Sequence, residues 1–76
     1  MTDDEVLAGM IMAARAEREA GFGGWSSPPD ELLEQCDRLC AQGLAECYNN
    51  REDRLVYYRP TPEGERVCKI TITRVQ

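Results

Sequence analysis

Acidic side chains are the most numerous groups in this chain that can do chemistry. The sequence has 14 Asp and Glu residues against 9 Lys and Arg, and it has no histidine. The missing histidine excludes Ser–His and Cys–His nucleophilic pairs, histidine general bases and every metal site with an imidazole ligand. Catalysis would have to use pairs such as Glu63 with Glu65 or Tyr57 with Tyr58. Because 76 residues leave little room for a deep pocket, we predict that the protein is not an enzyme.

The four cysteines are the candidate metal ligands. Cys36 and Cys40 are four residues apart and fall on one face of a helix, whereas Cys47 and Cys68 are isolated from each other. Structural zinc sites generally use two closely spaced pairs. Small buried side chains explain the first pair equally well, because it coincides with an apolar stripe of leucines. We predict reduced thiols with no metal and no cofactor; a thiol-ligated zinc or iron–sulfur site is the alternative.

Apolar periodicity predicts two main helices in a single α+β domain that covers residues 1–76. A first helix is predicted over residues 3–20, with Thr2 and Glu5 forming a capping box and Gly21 ending it. A second helix is predicted over residues 29–42, with Pro29 as its first residue. Gly43 is expected to follow its last turn in the left-handed conformation of a Schellman-type end.

Alternating β-favouring residues predict a hairpin after the second helix. The strands are predicted over residues 45–49 and 55–59, with a turn tip over residues 50–54. Thr61 is expected to begin a short helical turn, and residues 69–75 alternate as a C-terminal strand. Phe22 and Trp25 are the apolar anchors of the Gly- and Pro-rich connector between the helices. They can cover the small core or form a recognition hot spot.

Two motifs carry a resemblance to a known family. Gly43-Leu44-Ala45-Glu46 is followed, after a polar gap, by Tyr58-Arg59-Pro60-Thr61-Pro62-Glu63-Gly64. This pairing resembles the second half of a winged-helix domain of the MarR/PadR-like type, over residues 29–67. Periodicity predicts the two main helices and a C-terminal strand, and this strand departs from the long final helix of many dimeric winged-helix repressors. The resemblance itself implies a small winged-helix-like domain in which a helix is followed by a β-hairpin wing. It also implies DNA binding through the second helix and the wing, although a typical winged helix has three helices before its wing.

The charge pattern opposes that DNA-binding role. Residues 1–50 contain ten acidic and three basic side chains, whereas residues 51–76 contain four acidic and six basic ones. The outward face of the second helix carries four carboxylates, of Asp30, Glu31, Glu34 and Asp37. Beside phosphates, this face would be repelled. The basic residues near the hairpin, where DNA contact would be expected, are Arg51, Arg54 and Arg59.

These patterns lead to a protein-binding regulator or inhibitor as the main hypothesis. Its acidic helix face would contact a basic protein surface, as in a nucleic-acid-handling complex, and copy phosphate spacing in the manner of a DNA mimic encoded by a phage. Asp30, Glu31, Glu34 and Asp37 would bind the partner, with Trp25 as an apolar anchor. An acidic face that is only solvated remains open.

The alternative hypothesis is a DNA-binding transcriptional regulator that uses Arg51, Arg54 and Arg59. A homodimer is compatible with either hypothesis. No apolar run approaches the ~20 residues of a membrane span, and the acidic N-terminus differs from a basic signal peptide. We therefore predict a cytoplasmic protein that does not act in a membrane.

Overall fold

A computed structural model describes residues 1–21 and 23–68 as a small α+β arrangement. Its elements are α1 (Asp3–Glu19), a 3-10 turn (Asp30–Leu32), α2 (Leu33–Ala41), β1 (Ala45–Asn49), β2 (Val56–Pro60) and α3 (Pro62–Val67). Phe22 and the predicted C-terminal strand over residues 69–75 lie outside the described residues. The α+β prediction is confirmed for the described part of the chain.

Helix α1 begins at the predicted capping box. The Thr2 amide donates to the Glu5 carboxylate at 3.0 Å, and the Glu5 amide donates to the Thr2 hydroxyl at 3.2 Å. The helix ends at Glu19, one residue before the predicted end, and Gly21 follows with a φ of +89°. Its buried stripe contains apolar residues that recur at helical spacing, namely Val6, Leu7, Met10, Ile11 and Ala14.

Helix α2 differs from the prediction at its start and agrees with it at its end. Pro29 is extended and precedes a 3-10 turn, so the prediction of Pro29 as the first helical residue is wrong. The Leu32 amide donates to the Pro29 carbonyl at 3.0 Å, which closes this tighter turn before α2 begins. At the other end, Gly43 has a φ of +76°, and the Leu44 amide donates to the Leu39 carbonyl. These contacts form the Schellman end that the Gly-Leu pair predicted.

Strands β1 and β2 form an antiparallel hairpin whose two faces differ in character. Ala45 lies opposite Pro60 and Cys47 opposite Tyr58, while Tyr48 lies opposite Tyr57. Alternation therefore directs Ala45 and Tyr58 into the core and both other tyrosines to the outer face. Ser26 extends this sheet by one residue, because it exchanges backbone hydrogen bonds of 2.9 and 2.8 Å with Tyr58.

Helix α3 packs against the end of α2 through Gly64. A Cβ atom on Gly64 would lie 2.0 Å from the Leu44 carbonyl oxygen, so the close approach of the two backbones requires glycine. The Thr61 hydroxyl accepts from the Gly64 amide at 3.0 Å and donates to the Gly43 carbonyl at 2.7 Å. The Gly-Leu and Thr-Pro-x-Gly motifs therefore contact each other directly in the fold.

The core lies between α1, α2 and the inner face of the hairpin. Leu7, Ile11, Cys36 and Leu39 are its largest fully buried side chains, and Tyr58 closes it from the sheet. Leu32, Leu33 and Cys40 pack at its edge, as their helical spacing predicted. No helix in the described part of the chain combines the length and apolar character needed to cross a membrane.

Candidate functional site

The acidic face begins on the 3-10 turn and continues along α2. Asp30, Glu31 and Glu34 are exposed, and the Glu34 side chain keeps 90% of its accessible surface. Their spacing places them on neighbouring positions of one helical surface. Glu34 has a long contact of 3.9 Å with the Arg38 guanidinium, whereas Asp30 and Glu31 have no ion pair within the described residues. Three of the four predicted carboxylates are therefore available to a partner.

Asp37 has a structural role in addition to its charge. Its carboxylate accepts a hydrogen bond of 2.6 Å from the hydroxyl of Tyr58, whose ring is buried in the core. Burial, and then this hydrogen bond, raises the pKa of Tyr58 well above its usual range. A substitution of Asp37 would leave a buried tyrosine without its acceptor, so it would change the fold together with the surface charge.

Arg38, the basic residue of α2, is neutralised by the first turn of α1. Its guanidinium donates to the Asp3 carboxylate at 2.9 and 3.3 Å, which lowers the pKa of Asp3 and raises that of Arg38. Gln35 adds hydrogen bonds to Asp3 and to the Met1 carbonyl. Because Arg38 is satisfied by Asp3, it offsets little of the negative charge of Asp30, Glu31 and Glu34.

The three arginines predicted near the wing occupy two different environments. Arg51 and Arg54 lie in the exposed hairpin loop, where neither has an ion pair within residues 1–21 and 23–68. Arg54 has a φ of +60°, and the Asp53 carboxylate caps the Leu55 amide beside it. Arg59 lies on the outer face of β2, bonded to Glu46 and positioned 4.4 Å from the centre of the Trp25 ring. The structure does not bring these three arginines into one patch.

Trp25 belongs to an aromatic cluster that the spacing of residues along the sequence does not predict. Its ring centre lies 4.6 Å from that of Tyr48 in an edge-to-face arrangement, and Tyr48 stacks on Tyr57 at 5.3 Å. The core cluster does not include Trp25. The predicted strands would have placed Tyr48 opposite Val56, whereas the observed register, shifted by one residue, places Tyr48 opposite Tyr57. Nothing local to the Gly-rich connector indicates that Trp25 covers these two tyrosines.

An apolar cavity of about 280 Å³ lies between the first half of α1, the Ser26–Pro29 segment and α2. Gly9, Met10, Leu32 and Cys36 are among its lining residues. Its one carboxylate, of Glu5, already accepts from the Thr2 amide. The lining therefore offers apolar contact and no second carboxylate for acid–base chemistry.

Burial favours the neutral thiol form of two cysteines on α2, Cys36 and Cys40. Burial raises the pKa of Cys36, and burial together with the neighbouring Cys47 raises the pKa of Cys40 to about 12. Cys47 is exposed on β1. Among the described residues, no group of three or more cysteine or carboxylate side chains could hold a metal ion.

Comparisons of the chain with models of protein families, with characterised proteins and with solved structures found no match. What indicates a function therefore lies in the surfaces of this molecule. Two of them stand out by composition: the acidic face formed by Asp30, Glu31 and Glu34, and the aromatic outer face of the hairpin.

Proposed function

We propose that this protein is a non-catalytic regulator or inhibitor that binds a basic protein surface through Asp30, Glu31 and Glu34. The observation that carries the proposal is the exposure of this acidic face beside an arginine that is already paired. Its three carboxylates are exposed, and the guanidinium of Arg38 beside them is already bonded to Asp3. When a partner covers these carboxylates, they need groups of the opposite charge to replace the water they lose. Long-range attraction between the two surfaces would also accelerate association.

Nucleic-acid-handling proteins are the partner class that fits this charge best. Their binding channels are positively charged where they neutralise phosphates. Successive carboxylates on a helical surface can occupy such a channel as phosphates do. The same carboxylates would repel DNA itself. The formal net charge of −5 adds a long-range repulsion between the chain and DNA. The proposed action is competition with nucleic acid for a basic site.

We propose further that the scaffold is winged-helix-like. The order of elements supports this, because a helix, a one-residue strand at Ser26, a second helix and a hairpin follow one another. The contact between Gly64 and Leu44 also supports it, since it joins the two motifs on which the resemblance rests. In this scaffold α2 holds the position used for DNA recognition and displays acid there instead.

A capture experiment from the native cell tests the proposed interface. The variant Asp30→Asn/Glu31→Gln/Glu34→Gln should lose the captured partner, because it removes the acidic face and leaves the Asp37–Tyr58 hydrogen bond intact. The matched control is Asp4→Asn/Glu52→Gln/Glu63→Gln, which removes the same charge from three exposed positions elsewhere. The control should retain the partner, identified by mass spectrometry as a nucleic-acid-binding protein. Equal capture by both variants would overturn the proposal.

DNA binding through the hairpin loop is the second candidate function. It is favoured by Arg51 and Arg54, which are exposed and have no ion pair within the described residues. An electrophoretic shift assay with duplex DNA at low salt separates the two functions. A DNA-binding protein would shift the duplex, lose affinity steeply with added salt and weaken in the variant Arg51→Ala/Arg54→Asn. We expect no shift, and Asn is chosen at position 54 because it tolerates the positive φ.

A further inference from the structure

We propose that the outer face of the hairpin holds a pocket for the guanidinium group of an arginine side chain of the partner. The pocket is a shallow depression open to solvent, with a volume of about 340 Å³, and is lined by Glu17, Trp25, Tyr48, Asn50 and Tyr57. This inference deepens the proposed function by naming the chemistry of one partner group. It depends on that function only for the claim that the arginine belongs to a protein.

The three aromatic rings provide the surfaces on which a cation binds. Trp25 and Tyr48 are nearly perpendicular, with an interplanar angle of 86°, while Tyr48 and Tyr57 are nearly parallel at 15°. Because Trp25 is perpendicular to the two parallel tyrosines, the cluster has π-faces in two directions. The face of each ring carries negative electrostatic potential, and a planar guanidinium can stack on it.

The molecule already places one guanidinium on this cluster. The Arg59 guanidinium carbon lies 4.4 Å from the centre of the Trp25 ring, and its nitrogen donates to the Glu46 carboxylate. The Trp25 ring therefore already has a guanidinium on its face. Tyr48, which is 40% exposed, is the ring of this cluster most open to a second cation.

The remaining groups hold the pocket in place and select for positive charge. The Tyr57 hydroxyl donates to the Asp53 carboxylate, so the ring is anchored and a negative charge lies beside it. Glu17 lines the pocket from α1 and is half-buried, with no ion pair inside the described part of the chain. A carboxylate in an aromatic pocket repels anions and pairs with a guanidinium, which accounts for the choice of ligand class.

The single tryptophan of the chain gives a direct measurement of binding. N-acetyl-arginine amide should change the fluorescence of Trp25 in a saturable manner at constant ionic strength. N-acetyl-citrulline amide, which has nearly the same shape without the charge, should give no saturable change. Identical responses to the two compounds, or a response to arginine that never saturates, would show that the cluster is only an aromatic surface and would overturn the inference.

Two variants test the carboxylate and the ring. Glu17→Gln should weaken arginine-amide binding about fivefold, whereas the control Glu52→Gln, at an exposed loop position, should leave it unchanged. Tyr48→Leu should abolish saturable binding while leaving the circular dichroism spectrum unaltered, because Tyr48 lies on the outer face of the sheet. Unchanged affinity in both Glu17→Gln and Tyr48→Leu would place the arginine elsewhere.

The same titration separates this inference from the proposed function. Asp30→Asn/Glu31→Gln/Glu34→Gln should bind arginine amide as the unaltered protein does. If that variant loses partner capture and neither it nor the unaltered protein binds arginine amide, the pocket alone is overturned. Saturable arginine binding together with unchanged partner capture would overturn the acidic interface alone.

Discussion

The identities of several residues in this protein follow from the close approach of two segments of its backbone. Gly64 touches the Leu44 carbonyl, and the Thr61 hydroxyl bonds both the Gly43 carbonyl and the Gly64 amide. Gly43 itself has the positive φ that a Schellman end requires. A contact or a backbone angle explains each of these residue types, and none of them requires a role in a functional site.

Replacing Gly64 with alanine should destabilise the protein, because the new methyl group would lie 2.0 Å from a backbone oxygen. Overpacking of this kind costs roughly 1–3 kcal/mol, which outweighs the gain in helix propensity. Urea unfolding followed by Trp25 fluorescence measures the change in the free energy of unfolding.

The same substitution at Gly9 is the matched control for Gly64→Ala. A Cβ atom at Gly9, in the middle of α1, meets nothing within 4 Å. Gly9→Ala should therefore stabilise the protein by about 0.5–1 kcal/mol. Changes of the same sign at both positions would contradict the assigned contact between α3 and Leu44.

Elements in this protein are held together by their ends as much as by their apolar faces. The end of α2, the end of β2 and the start of α3 meet at Thr61, whose amide also donates to the Leu44 carbonyl at 3.1 Å. The hairpin separates two environments by alternation, with Tyr58 in the core and Tyr48 and Tyr57 against Trp25. The position of the acidic face relative to the sheet therefore depends on this junction.

Thr61→Val tests the junction, because it keeps the shape of the side chain and removes the hydroxyl. The loss of the cap on Gly64 and of the bond to Gly43 should lower the free energy of unfolding by about 1–2 kcal/mol. Thr61→Ser retains the hydroxyl and should lose much less. A Thr61→Ser variant as unstable as Thr61→Val in urea would show that the methyl group, and no hydrogen bond, stabilises the junction.

On the scale of the whole molecule, polar contacts join the ends of the chain segments. The Arg38–Asp3 pair links α2 to α1, and an Arg18–Glu65 pair at 3.4 Å links α1 to α3. Hydrogen bonds lower the pKa values of Asp3, Glu5 and Asp53, while burial raises those of Cys36, Cys40 and Tyr58. The folded state therefore favours charged carboxylates at its surface and neutral thiols and phenol inside.

These shifts predict a plateau of stability with a decline on both sides. Below about pH 4, carboxylates in the unfolded chain take up protons before those of the folded protein do. The free energy of unfolding therefore decreases as pH is lowered. Above about pH 9, the unfolded thiols and phenol ionise first, and stability falls as pH rises. Urea unfolding from pH 2 to 11 measures both limbs.

Two variants assign the limbs of that profile. Asp3→Asn should make the acid limb shallower, since one carboxylate with a lowered pKa is removed. Cys40→Ala should make the alkaline limb shallower, because the thiol whose pKa is raised to about 12 is gone. Stability that stays constant from pH 7 to pH 2 would contradict the hydrogen bonds assigned to Asp3, Glu5 and Asp53.

The sequence by itself determined the features that depend on neighbouring residues along the chain. The capping box, the apolar stripe of α1, the Schellman end at Gly43 and the hairpin strands follow from local spacing, and all agree with the structure to within one residue. The beginning of α2 did not follow, because Pro29 is compatible with either a helical or an extended start and the 3-10 turn depends on packing.

Only the tertiary structure decided which charged and aromatic groups meet. Periodicity placed Asp37 on an outward face, but only packing showed that it bonds Tyr58 and that Arg38 bonds Asp3. It also separated Arg59 from the loop arginines and placed Trp25 on the outer sheet face. The physical reason is that spacing along a chain defines the face of an element, whereas partners on that face come from residues 20 or more positions away.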